Sequence, residues 1–128
     1  MKNLFILVLL SVISVADIHI VTSDHRLISV SKEQIAALYL GKIDTIQGVK
    51  VLPIDNSNAQ SYQEFYRKVV NKSPEQLHAY WAKQLFSSNR RPPQKLSDGE
   101  IEKRLQTNIP IISYSSTDLS GNILLTTR

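Results

Sequence analysis

The stretch VKVLPIDNSNAQSYQEFYRKVV, residues 49–70, decides the fold class that we expect for this chain. Residues 49–55 form an apolar strand, and residues 61–70 carry apolar side chains at the i, i+3, i+4, i+7 spacing of an amphipathic helix. The polar loop 56–60 joins the two. In α/β proteins such a loop often binds small anions, because free backbone N–H groups and the positive end of the helix dipole meet there. The loop is therefore the first candidate for a ligand site.

Residues 1–16 have the pattern of a secretory signal peptide. Lys2 supplies a positive charge, residues 4–15 are mainly apolar, and Ser14 and Ala16 form a small-x-small cleavage site. We predict cleavage near Ala16, a periplasmic or secreted protein, and no membrane anchor afterwards. The alternative, an uncleaved anchor, would need about 20 apolar residues to span the hydrocarbon core, more than this run provides. The sequence has no cysteine, which excludes a lipid-attachment cysteine and disulfide bonds.

The following residues, 17–128, are enough for one domain with one hydrophobic core. The formal net charge of +4 is mild and the basic residues are scattered, so we see no basic stripe for nucleic-acid binding. The three histidines do not have the spacing of metal ligands, and the motifs of nucleophilic and nucleotide-binding enzymes are missing. We therefore predict a protein that is not an enzyme and that needs no metal or cofactor.

Three Ser-x-x-Gln/Glu sequences predict where helices begin. They are the capping boxes at 31–34, 73–76 and 97–100. Alternating or apolar runs predict further strands at 17–22, 110–115 and 123–126. The resulting order, β-α-β-α-α-α-β-β, predicts an α/β domain with a mixed, mainly parallel sheet flanked by helices.

Four segments together resemble a known family. They are VSKEQIAALYLGKI (30–43), the strand and loop 49–60 with the aromatic residues that follow, KSPEQLHAYWAKQLF (72–86) with Arg-Pro-Pro at 91–93, and PIISY (110–114). The chain resembles the periplasmic phosphate-binding proteins of ABC transporters, and in the third segment a set of shorter exported relatives. The resemblance implies a type-2 periplasmic-binding-protein fold, of which this length supplies one lobe. It also implies phosphate or another small oxyanion as ligand and the membrane component of an ABC transporter as partner.

This sequence departs from the phosphate motif of that family. The family has an Arg and then Ser-Gly-Thr at the helix start, and the four corresponding positions here, aligned on Tyr62, hold Ile54, Asn58, Ala59 and Gln60. A bidentate guanidinium–phosphate contact contributes roughly 1.5–3 kcal/mol, so its loss lowers phosphate affinity by about one to two orders of magnitude. We expect phosphate binding to be weak or absent.

The candidate ligand-binding residues are Asn56, Ser57, Asn58 and Ser61, together with the backbone amides of the loop. The alternative is that these residues only form a turn and cap the helix, with Ser57 or Ser61 as the N-cap. Asp55 lies next to the loop and would repel an anion, which favours the alternative.

Two functions stay open on this sequence. One is an exported phosphate- or oxyanion-binding module with a degenerate motif. The other is an interaction module that docks on another exported protein or self-associates. The aromatic stripes Tyr62/Phe65/Tyr66 and Tyr80/Trp81 are expected to belong to the core, and their alternative role is a sticky surface for such docking.

Overall fold

The computed structural model describes residues 17–128, and the predicted signal peptide lies outside the described residues. The chain has the predicted α/β character, with a mixed sheet flanked by helices. No helix within residues 17–128 has the length and apolar character needed to cross a membrane. In chain order the elements are β1 Ile18–Thr22, α1 Lys32–Tyr39, β2 Thr45–Ile46, β3 Val49–Lys50, β4 Leu52–Asn56, α2 Ala59–Phe65, a π-helical turn Tyr66–Val70, α3 Pro74–Ser88, β5 Gln94–Leu96, α4 Asp98–Leu105, β6 Ile111–Ser115 and β7 Asn122–Thr127.

The main sheet has five strands in the order β5-β4-β6-β1-β7, and β2 and β3 form a separate hairpin. β4 is parallel to both β5 and β6, whereas β1 is antiparallel to both β6 and β7. The expectation of a mainly parallel sheet is therefore wrong. The sequence suggested a β-α-β unit from β1 to β4, but β6 lies between these two strands and β1 runs in the opposite direction.

Both faces of the sheet are apolar; one is covered by α1 and α2, and the other is covered by α4. Successive residues of a strand point to opposite faces, so Ile20 packs in the cluster with α1 and α2 while Val21 packs in the cluster with α4. Ile112 and Ile111 of β6 divide in the same way. The sheet is thus the middle layer of three, and the cluster on the α1–α2 face is the larger one.

The serine caps begin three of the helices as predicted. Ser31 and Ser73 form complete capping boxes with the glutamines three residues later. At Ser97 the hydroxyl accepts from the Glu100 amide and donates to the Glu100 carboxylate. That start of α4 is therefore a serine cap, with the glutamate bonded to the hydroxyl and not to the backbone.

The structure of residues 49–70, the strand–loop–helix stretch, differs from the prediction at three points. The strand is interrupted at Val51, because its first residues pair with β2 in the hairpin and only Leu52–Asn56 enters the main sheet. The helix begins at Ala59, two residues before the predicted start. Its N-cap is Asn58, whose side-chain oxygen lies 3.0 Å from the Ser61 amide nitrogen, so the prediction of a serine cap is wrong.

α3 is longer than any other helix in the described part of the chain, and it packs only lightly. Of its fifteen residues, Leu77 alone is buried. Tyr80 and Trp81 are half-buried, and the Tyr80 hydroxyl donates to the Leu40 carbonyl at 2.6 Å. Leu85, further along the same helix, is 55% exposed. The segment between α3 and α4 contains β5, an edge strand of the sheet that was not predicted from the sequence.

Candidate functional site

The loop that the sequence singled out is a tight turn in which most side chains bond to the protein itself. Asn56 is the last residue of β4 and is completely buried. Its amide group donates to Asp98 Oδ1 at 2.7 Å and to the Tyr114 carbonyl at 2.9 Å. Ser61 is also buried, and its hydroxyl lies 3.1 Å from the Ser116 hydroxyl. Asn56 and Ser61 therefore tie the end of β4 and the start of α2 to neighbouring elements.

The other two predicted residues lie closer to solvent. Asn58 uses its side-chain oxygen as the helix cap, and its backbone N–H donates to Asn56 Oδ1 at 2.8 Å. Ser57 is exposed, and its backbone N–H donates to the Leu96 carbonyl at 2.8 Å. Helix geometry leaves the amides of Ala59 and Gln60 without intrahelical partners. The groups that face solvent at this turn are thus the Ser57 hydroxyl and the first two amides of α2.

A second site, which the sequence interpretation missed, is centred on Asp55. In the sequence this carboxylate counts only as a charge beside the loop that would repel an anion, but Asp55 is only 1% exposed. Its Oδ1 accepts a hydrogen bond from the Tyr114 hydroxyl at 2.8 Å, and its Oδ2 accepts one from the Tyr66 hydroxyl at 2.9 Å. Tyr66 begins the π-helical turn, a rare conformation that is frequent at functional sites.

Burial dominates the electrostatics of this carboxyl group. It raises the pKa of Asp55 from 3.8 to about 7, although the hydrogen bonds from Tyr114 and Tyr66 and the charge of Lys95 act in the opposite direction. In turn, burial and the nearby Asp55 carboxylate raise the pKa of Tyr66 and of Tyr114. A strongly shifted group that lines a cleft is a candidate for function, although a structural cluster can produce the same shift.

Aromatic rings hold the Asp55 cluster in place. The Phe65 ring stacks on Tyr114 with centroids 3.8 Å apart, and the Tyr39 ring lies 4.6 Å from Phe65. The Tyr39 hydroxyl donates to the carbonyls of Ile54 and Ile112, at 2.9 Å each. These contacts join α1, α2, β4 and β6 around the carboxyl group, so its position is well defined.

Asp55 also lines a surface cavity of about 520 Å³ between α3, β5 and α2. Lys95 lies at this cavity with its ammonium nitrogen 4.0 Å from the centroid of the Tyr62 ring. The indole nitrogen of Trp81 is buried and has no hydrogen-bond partner. The cavity is lined by Asp55, Tyr62, Pro74, Leu77, His78, Trp81, Pro92, Pro93 and Lys95. A second cavity, of about 460 Å³, also includes Tyr62, Pro74 and Leu77 in its lining.

The end of α3 carries exposed apolar side chains, and basic residues lie close to them in the sequence. Phe86 is 98% exposed and Leu85 is 55% exposed. No acidic residue occurs in positions 76–97, whereas this segment contains four basic ones. We define the α3 surface as the exposed residues Lys83, Leu85, Phe86, Arg90 and Arg91.

Within residues 17–128, no group of three or more histidine, aspartate or glutamate side chains could hold a metal ion. Comparison of the chain with models of protein families, with curated proteins and with solved structures gives no match. The function must therefore be inferred from the geometry of the site and from the resemblance of the four sequence segments.

Proposed function

We propose that this protein is an interaction module without enzymatic activity, exported from the cytoplasm, which docks on another exported protein. The observation that carries the proposal is the nearly complete exposure of Phe86 at the end of a helix that buries one residue in fifteen. Full burial of a phenylalanine or leucine side chain contributes about 1.5–3 kcal/mol, so a partner that covers Phe86 and Leu85 gains substantial affinity. Exposed side chains of this size at one place favour a docking role over a purely structural one.

The charge of the α3 surface specifies the partner. Lys83, Arg90 and Arg91 flank the two apolar side chains, and the segment that contains them has no acidic residue. An acidic surface with an apolar centre would complement it, and complementary charges also accelerate association. Two copies of this chain that paired symmetrically through the α3 surface would place basic residues against basic residues. A different, acidic protein is therefore favoured over self-association.

A photo-crosslinking residue at position 86, in the exporting host, tests this function. The expected result is one main crosslinked protein, with an acidic surface, that is not crosslinked from position 57. The purified partner should then bind the wild type at least tenfold more tightly than Phe86→Ser, and its binding should weaken as salt is added. Ile28→Ser is the matched control, because Ile28 is 69% exposed outside the α3 surface. The proposal would be refuted if position 86 crosslinked only to a second copy of this chain. It would also be refuted if Phe86→Ser bound the partner as tightly as the wild type does.

A second candidate function is the binding of phosphate or a similar oxyanion at the turn before α2. The exposed Ser57 hydroxyl and the amides of Ala59 and Gln60 favour it, as does the resemblance to phosphate-binding components of ABC transporters. Isothermal titration with phosphate and with sulfate tests it. Micromolar affinity that is lost in the double variant Ser57→Ala/Asn58→Ala supports this function, and no heat at millimolar phosphate rejects it.

A further inference from the structure

We propose that the cavity between α3, β5 and Tyr62 binds a small aromatic carboxylate. Its ring would pack against Trp81 and the prolines Pro92 and Pro93, and its carboxylate would pair with Lys95. This site is separate from the α3 surface and from the turn before α2, so it depends neither on partner docking nor on oxyanion binding.

The size and lining of the cavity suit a small organic molecule. Its volume of about 520 Å³ falls within the range of roughly 300–1,000 Å³ that is typical of ligand sites. Most of the wall is apolar, with two aromatic rings, a leucine and three prolines. Proline and aromatic side chains have few rotatable bonds, so this wall needs little ordering when a ligand enters.

Lys95 supplies the charge that selects an anion. Its ammonium group lies over the Tyr62 ring at the cavity, and within residues 17–128 it makes no salt bridge. The basic segment 76–97, with no acidic residue, adds to the positive potential on this side. A ligand carboxylate at the Lys95 ammonium would form an ion pair that residues 17–128 alone do not make.

Asp55 is the group that argues for a cationic ligand instead. Its two oxygens already accept hydrogen bonds from Tyr66 and Tyr114, and almost none of its surface reaches solvent. A ligand amine would also have to displace Lys95 from the ring of Tyr62. An anion meets neither obstacle, because its carboxylate approaches Lys95 from the solvent side while Asp55 stays covered by the tyrosines.

Fluorescence titration tests the site, because Trp81 is the only tryptophan in the sequence and lines the cavity. Three probes of similar shape should be compared: 3-phenylpropionate, its neutral amide and 3-phenylpropylamine. We expect a saturable change in Trp81 fluorescence with the carboxylate and at least tenfold weaker binding of the amide. The amine should give no saturable change in fluorescence. Tighter binding of the amine, equal binding of all three probes, or no saturable change up to the solubility limit would overturn the proposal.

Variants of Lys95 make the test specific. Lys95→Gln should weaken binding of the carboxylate at least tenfold, and Lys95→Arg should keep most of it. Lys50→Gln is the matched control, because it removes the same charge from an exposed residue of the β2–β3 hairpin, outside the cavity lining, the α3 surface and the segment 76–97. Urea unfolding of each variant checks that the fold is kept. If Lys95→Gln bound as the wild type does, or if a peptide ending in phenylalanine bound more tightly than 3-phenylpropionate, the assignment to a free small molecule would be wrong.

Discussion

Replacement of Asp55 with Asn should remove a large pH dependence from the stability of this protein. The pKa of Asp55 rises from 3.8 to about 7 on folding, mainly because the carboxyl group is buried. Each pKa unit corresponds to about 1.4 kcal/mol, so ionisation of Asp55 lowers the free energy of unfolding by about 4 kcal/mol. This figure includes the tyrosine hydrogen bonds, which already favour the carboxylate.

The sign of this pH dependence is set by which state, folded or unfolded, binds the Asp55 proton more tightly. In the unfolded chain Asp55 loses its proton near pH 3.8, and in the folded protein it keeps it until the pH reaches about 7. Between these values the folded state binds the extra proton, so the free energy of unfolding decreases as the pH rises, by at most about 1.4 kcal/mol per pH unit. The stabilising contribution is complete below the unfolded pKa and is lost as the pH passes the folded one.

Urea unfolding followed by the fluorescence of Trp81 measures this effect. Asn resembles the protonated carboxyl group and cannot ionise, so the stability difference, Asp55→Asn minus wild type, should increase by about 4 kcal/mol between pH 4 and pH 8. At pH 4 the variant should be equal to the wild type or slightly less stable, because one tyrosine must rotate its hydroxyl to accept from the new amide. Other titrating groups are common to both proteins and cancel in the difference.

Ser113→Ala is the matched control for this experiment. It removes a buried hydroxyl that donates to the Ile54 carbonyl at 2.9 Å, and neither side chain titrates. The difference in free energy of unfolding between Ser113→Ala and the wild type should therefore be the same at every pH. A difference for Asp55→Asn that is equally flat, or that decreases as the pH rises, would show that Asp55 is not held in the protonated form and would refute the reasoning.

Three further substitutions test the turn, the cluster and a tight backbone contact. Tyr66→Phe should raise the pKa of Asp55 further, because the lost hydrogen bond favours the carboxylate, and ¹³C NMR titration of the carboxyl carbon measures it. Asn58→Ala should lower the free energy of unfolding by about 1 kcal/mol in urea, through loss of the α2 cap. Gly121→Ala should lower it by more than about 1 kcal/mol, because φ is +107° and the new Cβ would lie 2.9 Å from the Thr22 carbonyl oxygen; an unchanged melting temperature would contradict that.

The features that local sequence determines were predicted well. A serine followed three residues later by glutamine satisfies two helix amides reciprocally, and both such boxes occur where the sequence placed them. Alternating apolar residues likewise predicted β1, and a short apolar run predicted the strand at the carboxyl end of the chain. These signals depend on residues a few positions apart, so no knowledge of the tertiary structure is needed to interpret them.

The details of the predicted ligand turn depend on distant partners. Ser57, Asn58 and Ser61 have similar tendencies to cap a helix, so local sequence alone cannot choose between them. The choice is made by Asn56, which is fixed by Asp98 and by the Tyr114 carbonyl, 42 and 58 positions away. Because Asn56 is held there, its side-chain oxygen accepts a hydrogen bond from the Asn58 backbone N–H, and this turn leads the chain into α2.

The Asp55 cluster could have been suspected from the sequence, but only in outline. A tyrosine on the buried stripe of a helix needs an acceptor for its hydroxyl, and Tyr66 lies on such a stripe just after a strand that ends in an aspartate. The second tyrosine, Tyr114, is 59 positions from Asp55. No local pattern indicated the π-helical turn that begins at Tyr66.

The lightly packed α3 links the two surfaces that we regard as functional. An amphipathic helix normally buries its whole stripe, but Leu77 and the hydroxyl of Tyr80 are the main anchors of this one, and both lie in its first half. Because the second half does not close onto the sheet, Phe86 stays in solvent, and a cavity remains between Trp81 and Lys95. If α3 served only to complete the core, selection for stability would be expected to close that gap, since each buried large apolar side chain adds about 1.5–3 kcal/mol. The open side of α3 is therefore better explained by binding than by folding.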